Sequence, residues 1–170
     1  MRLELCVGLF GTCGGSTWRD PFMERYAREG ITFFNPQVPD WRPELAEIEA
    51  EHLASDRVIL SPVLSGTYGC GSLAESGFSI AQAMRMEDRR EFVLLIEKTL
   101  DDALDNEAAR KESLRARSLT LAHMRRIMLP NVHLVESLDE MLELSIKLYR
   151  ASEILASVSA TSLRYRNTHM

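Results

Sequence analysis

The sequence predicts a single α/β domain built on a doubly wound, five-stranded parallel sheet. Three observations carry this. Apolar β-type runs alternate with helical patterns from end to end, and Gly, Pro or Ser marks the changes between them. The run Phe92–Ile96 is apolar throughout, as suits a strand covered on both faces. At 170 residues, one core can bury roughly two-thirds of the unfolded chain's surface, and no repeat or low-complexity stretch interrupts the pattern. Residues 1–157 read as the domain and residues 158–170 as a polar tail that frays.

The first strand is Leu3–Phe10, running into the loop Gly11–Thr17. A helix starts between Trp18 and Pro21; Ser16 or Thr17 is placed to cap it, and a proline in the first turn loses no hydrogen bond. Gly30 stops that helix and Ile31–Phe34 is the second strand. Two prolines make Asn35–Trp41 a loop. Pro43–Leu53 is helical, with Leu45, Ile48 and His52/Leu53 as its inner stripe and Glu44, Glu47 and Glu51 on other faces.

The third strand spans Arg57–Val63 and leads into a glycine- and serine-rich turn holding Glu75, which opens the next helix. Phe92–Ile96 is the fourth strand. A long helical region from about Leu100 to Met128 follows, acidic early (Asp101, Asp102, Asp105) and basic late, which complements the helix dipole. Val132–Val135 is the last strand, and Ser137 with Glu140 makes a capping box for the final helix. The simplest strand order is 2-1-3-4-5. The Gly11–Thr17 and Tyr68–Glu75 loops then face each other across the crevice at the switch point, where open α/β sheets bind ligands.

Bulk properties narrow the partners. The composition, 45% hydrophobic and 26% charged, is that of a globular domain; a net charge of −5 argues against a nucleic-acid duplex, which demands a concentrated basic surface. Met1–Leu5 has an acid inside its only apolar stretch, and no run approaches the ~20 apolar residues that span a bilayer, so neither a leader nor a membrane partner is expected. Cys6, Cys13 and Cys70 are an odd count without metal spacing, which points to reduced thiols and a cytoplasmic setting.

Three segments carry candidate chemistry. Gly11, Thr12, Gly14, Gly15 and Ser16 form a loop whose backbone can approach a ligand and whose amides, at a helix start, favour an anion such as phosphate. It is neither a P-loop nor a dinucleotide fingerprint, and the alternative is a tight turn. Asn35, Pro36, Asp40 and Trp41 end the second strand. Trp41 offers a face for a planar base, while Asn35 and Asp40 can hydrogen-bond a sugar or a base edge; the alternative is a rigid loop whose tryptophan plugs the sheet. Glu75, with Gly71 and Ser72 in its loop, is the strongest candidate. A carboxylate there can attack a sugar carbon and form a glycosyl-enzyme intermediate. The alternative is a first-turn glutamate serving its own helix dipole. Glu49 and Asp56 border the third strand and are secondary candidates.

Taken together, GLFGTCGGSTW (8–18), FFNPQVPDW (33–41) and SDRVILSPV…GSLAESGFSIAQA (55–63 and 71–83) resemble the nucleoside 2-deoxyribosyltransferase-like proteins, and within them the branch with an Asn-Pro…Asp-Trp loop. The resemblance covers roughly residues 5–97. It implies a flavodoxin-like sheet, cleavage of an N-glycosidic bond, Glu75 as nucleophile, and a Gly11–Trp18 loop that holds a sugar or 5′-phosphate. It further implies a nucleoside or nucleotide substrate, water or a second base as acceptor, no cofactor or metal, and a homo-oligomer. Where that family carries an aspartate about six residues before its glutamate, this chain has Tyr68-Gly69-Cys70-Gly71; Trp18 stands near where the family has a tyrosine. Base activation then falls to Asp40 or Glu49. Competing expectations are a non-catalytic nucleotide or sugar-phosphate binding module and a hydrolase of the nicotinamide bond of NAD.

Among lesser signals, Cys13 and Cys70 on facing loops are a candidate redox pair, with small buried thiols as the alternative. His52 and His123 read as packing or surface residues. Arg115, Arg117, Arg125 and Arg126 read as a solvated face or dimer contact, and Met84, Met86, Met124 and Met128 as core or subunit packing.

Overall fold

A computed structural model of the chain describes residues 3–40, 42–85 and 90–168, with backbone only for 82–85 and 159–168. The elements are β1 (Glu4–Leu9), α1 (Arg19–Glu29), β2 (Phe33–Phe34), α2 (Leu45–Ser55) and β3 (Asp56–Val63), then α3 (Cys70–Arg85), β4 (Glu91–Ile96), α4 (Glu107–Ile127), β5 (Val132–Leu134) and α5 (Leu138–Thr168). The five strands form one sheet in the order β2-β1-β3-β4-β5, with every pairing parallel. The fold is therefore the flavodoxin-like doubly wound α/β arrangement that the alternating pattern predicts.

Strand alternation sorts the core into two layers. On one face Val7, Leu9, Val58, Leu60, Val93 and Leu95 pack with Phe22 and Tyr26 of α1 and Met141 and Tyr149 of α5. On the other, Phe10, Ile59, Val63, Phe92, Leu94 and Ile96 meet Leu121 and Met124 of α4, with Leu53 of α2 and Leu73 and Ile80 of α3 partly buried against them. Trp18, Phe22 and Tyr26 stack edge to face, at centroid distances of 5.1 and 6.1 Å. Each such burial contributes on the order of 1.5–3 kcal/mol. No helix among the described residues is long and apolar enough to cross a membrane.

Several element boundaries differ from expectation. α1 is entered through Trp18 without a side-chain cap; neither Ser16 nor Thr17 caps it, and the Thr17 carbonyl instead accepts from Asp20 N. Gly30 ends α1 in the left-handed conformation at φ 65°, as a C-terminal glycine does. α4 begins at Glu107, where the Asn106 side chain accepts from Ala109 N, so Asp101, Asp102 and Asp105 precede the helix. Asp101 Oδ1 closes a turn on Ala103 N, a local bond that competes with helix. The capping box before α5 spreads over one more residue: Ser137 Oγ accepts from Glu140 N, while the Glu140 carboxylate accepts from Glu136 N. α5 is helical to Thr168, past the Ser157 where the sequence reading ends the ordered chain.

Side-chain placements also differ. Ile48 is 47% exposed, because the inward face of α2 is taken by Leu45, Glu49, His52 and Leu53. Arg117 is no part of a solvated face; it is 1% exposed. Met124 is core, whereas Met128 is exposed and ends α4 in the left-handed region. The Met84 side chain and Met86 lie outside the described residues, and His123 is exposed.

Candidate active site at the sheet switch point

The order reverses between β1 and β3, so their outgoing loops diverge and leave a crevice at the carboxyl edge of the sheet. Two contacts lock the loops together below it. Thr12 N donates to Pro62 O at 2.8 Å, and Leu64 N donates to Thr12 Oγ1 at 2.9 Å. Thr12 is thereby buried and serves the scaffold, not a ligand.

Each loop is organised by a buried arginine that sequence reasoning missed. Arg19, 1% exposed, donates to Leu9 O (2.8 Å), Thr12 O (2.7 Å) and Gln37 Oε1 (3.0 Å), and its guanidinium contacts Cys13 Sγ at 3.4 Å. Gln37 in turn donates to Gly14 O at 2.7 Å, which ties the β2–α2 loop to the β1–α1 loop. Arg117 reaches from α4 to the carbonyls of Val63, Leu64, Thr67 and Glu97, all within 2.7–2.9 Å. Strand ends in a parallel sheet leave carbonyls without partners, and a planar five-donor fork satisfies several at once. In sequence neither arginine is marked out from an ordinary helix residue.

The crevice has two lobes that share Cys13 and Gly14 as a common wall. The larger, about 800 Å³, lies between the β1–α1 and β2–α2 loops and is walled by Gly15, Ser16, Asn35, Pro36 and Glu49. The smaller, about 330 Å³, lies between the β1–α1 and β3–α3 loops and is walled by Gly11, Cys70, Gly71, Ser72 and Glu75. The structure thus brings together Glu75, Glu49, Gly11, Gly14, Gly15, Ser16, Asn35, Pro36, Gly71 and Ser72 of the sequence-predicted site, and adds Arg19.

Other predicted site residues fall elsewhere. Trp18 is a core side chain, with Nε1 donating to Thr12 O at 2.9 Å, so it supports the loop from beneath. Asp40 is exposed, pairs with Arg42 at 2.8 Å, and borders a separate depression beyond Val38 and Pro39. Trp41 lies outside the described residues. Cys13 and Cys70 are both exposed on the walls of the smaller lobe, so these two are not buried thiols.

Glu75 sits in the second turn of α3, because that helix starts at Cys70; it is not a first-turn dipole partner. Burial pushes its pKa above the ordinary carboxylate value, the negative charge of Glu49 pushes the same way, and Arg19 opposes both. Burial also lowers the pKa of Arg19, against the fields of Glu75 and Glu49 and the Cys13 contact. The three groups therefore share one electrostatic neighbourhood: two acidic side chains and a buried cation.

Away from this crevice, one donor of Cys6, one of His52 and one of Asp56 lie within 4.8 Å of one another, a grouping that sequence spacing did not indicate. No family model and no curated protein matches the chain.

Proposed function

We propose that the chain is an N-glycosidic-bond enzyme acting on a nucleoside or nucleotide, a deoxyribosyltransferase or a hydrolase, with Glu75 as nucleophile. The observation that carries the reading is a half-buried carboxylate, Glu75, on the wall of the switch-point crevice within the field of a second acidic side chain, Glu49. The resemblance of residues 8–18, 33–41 and 55–83 to the nucleoside 2-deoxyribosyltransferase-like proteins supports it.

In this reading the Glu75 carboxylate attacks the anomeric carbon, the C–N bond breaks toward the base, and a glycosyl ester forms. Water or a second base then attacks the same carbon and frees Glu75. The departing base needs a proton donor, and Glu49, the second acidic side chain of the crevice, is the group placed for that role. Glu49 replaces the acid that Tyr68–Gly71 lacks, and Asp40 does not, since it borders a different depression. The Gly14–Thr17 amides before α1 receive the sugar or a 5′-phosphate. This chemistry calls for no cofactor. Exposed Phe78 (68%) and Ile154 (63%) supply apolar surface for a homo-oligomer, which light scattering would test. A cytoplasmic site of action accords with free thiols at Cys6, Cys13 and Cys70.

The test is chromatographic detection of free base after incubation with ribo- and deoxyribonucleosides, their 5′-monophosphates and NAD, with Glu75→Gln as control. Release by wild type and not by Glu75→Gln is the expected result, and the substrate turned over separates a nucleoside enzyme from an NAD hydrolase. Turnover by a folded Glu75→Gln protein overturns the nucleophile assignment. Thermal stabilisation by a nucleotide with no product favours a binding module, a reading supported by the absence of an acid in Tyr68–Gly71.

A further inference from the structure

At the opposite side of β1 from the α1/α5 layer, Cys6, Gly8 and Phe10 point toward α2 and α3. Asp56, the first residue of β3, lies over Gly8: a Cβ at Gly8 would stand 2.8 Å from Asp56 Oδ2. Glycine at this strand position leaves the space the carboxylate occupies. Asp56 is fully buried with the Cys6 thiol against its carboxylate, and among the described residues its Oδ2 has no partner in good hydrogen-bond geometry, which is costly for a buried carboxylate oxygen. Its other oxygen meets His52 Nδ1 at 3.0 Å, and the His52 ring stacks flat on Phe34 at 3.7 Å and 4°, which fixes the plane of the imidazole.

We propose that Cys6, His52 and Asp56 form a site for a thiophilic divalent transition cation of the zinc class. Sγ, a ring nitrogen and a carboxylate oxygen within 4.8 Å are the donor types and the spread that one such ion gathers. The 3.0 Å separation of Nδ1 and Oδ1 approaches the ~3.3 Å edge that two ligands at ~2.0 Å subtend at a tetrahedral ion. Three protein donors leave the fourth position to water. The ion gives the buried Asp56 carboxylate a full counter-charge, and His52, whose side chain is 28% exposed, provides the route in from solvent.

The charges balance. On binding, the Cys6 thiol proton passes to solvent, so thiolate and carboxylate together neutralise a dication. Glu4 adds negative potential on the same side. Arg90 is the opposing charge, but its guanidinium is turned to the carbonyls of Asp56 and Leu53.

The test uses the full chain, reduced, carrying Cys13→Ser and Cys70→Ser so that Cys6 is its sole thiol. Cobalt(II) is titrated as a coloured substitute for zinc. The expected result is one cobalt per chain, with a sulfur-to-cobalt charge-transfer band and the intense visible bands of a tetrahedral site, displaced stoichiometrically by zinc. Both bands disappear in Cys6→Ser and in His52→Ala; the latter changes a part-exposed side chain, so it remains informative should Cys6→Ser fail to fold. Absence of the charge-transfer band in the parent, or its survival in His52→Ala, overturns the proposal.

Discussion

Gly11 rests so close to Pro62 that a Cβ at position 11 would stand 2.5 Å from the Pro62 carbonyl oxygen and 2.8 Å from its ring. That oxygen already accepts from Thr12 N, and Gly11 has φ +88°, which side-chain-bearing residues rarely adopt. The floor of the crevice is therefore a backbone-to-backbone contact between the two loops that carry its walls. Gly11→Ala is expected to lose about 2 kcal/mol or more of stability, since backbone strain and overpacking each cost on the order of 1–3 kcal/mol. Urea unfolding of the two proteins measures this; an unchanged midpoint would refute it.

The Arg117 fork makes a parallel prediction on the other loop. Arg117→Met would leave the carbonyls of Leu64, Thr67 and Glu97 short of a donor, while Val63 O keeps Glu97 N, at a cost of roughly 1–3 kcal/mol for each carbonyl that water cannot reach. Arg117→Lys keeps the charge without the fork and should recover only part of that. Denaturant midpoints of the three proteins, compared at one pH, decide it.

Glu75 links the site to stability through pH. Its folded pKa lies above the unfolded value, so the native state holds the proton more tightly. The group's favourable contribution is then full below the ordinary carboxylate pKa and is lost as pH rises through the raised value. Glu75→Gln should therefore melt higher than wild type near neutral pH, with the difference closing in acid. Melting temperatures across that range test the sign; a variant less stable at neutral pH would contradict it.

The acid limb of the activity profile follows from the same group. A nucleophile must be deprotonated, so base release should rise with pH through a pKa above the group's ordinary value. Since the Glu49 charge raises that pKa, Glu49→Gln should move the acid limb to lower pH while slowing turnover by on the order of 100-fold through loss of acid catalysis. A pH–rate profile of the variant separates the two effects.

Cys13 and Cys70 are exposed on the walls of the lobe that holds Glu75. A bulky maleimide should label both and abolish nucleotide binding, and saturating nucleotide should slow the labelling. Peptide mapping with and without ligand would show it; equal rates would place the ligand elsewhere.

The sequence by itself determined the sheet, its strand order and the crevice. Periodicity separates strand from helix, and the order 2-1-3-4-5 brings the Gly11–Thr17 and Tyr68–Glu75 loops to one edge, where the structure has them. It also singles out Glu75 as a candidate, and the structure places that side chain on the wall of the smaller lobe. What only the tertiary structure decided were the contacts between distant segments. Arg117 reads as a surface cation, and Arg19 carries no signal, until the strand ends supply carbonyls for them, and Ile48 reads as core until the fold turns Glu49 inward instead. Trp18 reads as the end of a ligand-holding loop until α1 packs it beneath that loop. Cys6, His52 and Asp56 carry no metal spacing along the chain, because a parallel sheet aligns β1 and β3 only after α2 has crossed over between them. Local pattern sets which element forms; which polar groups meet depends on register and crossover, and neither is written into any single stretch of sequence.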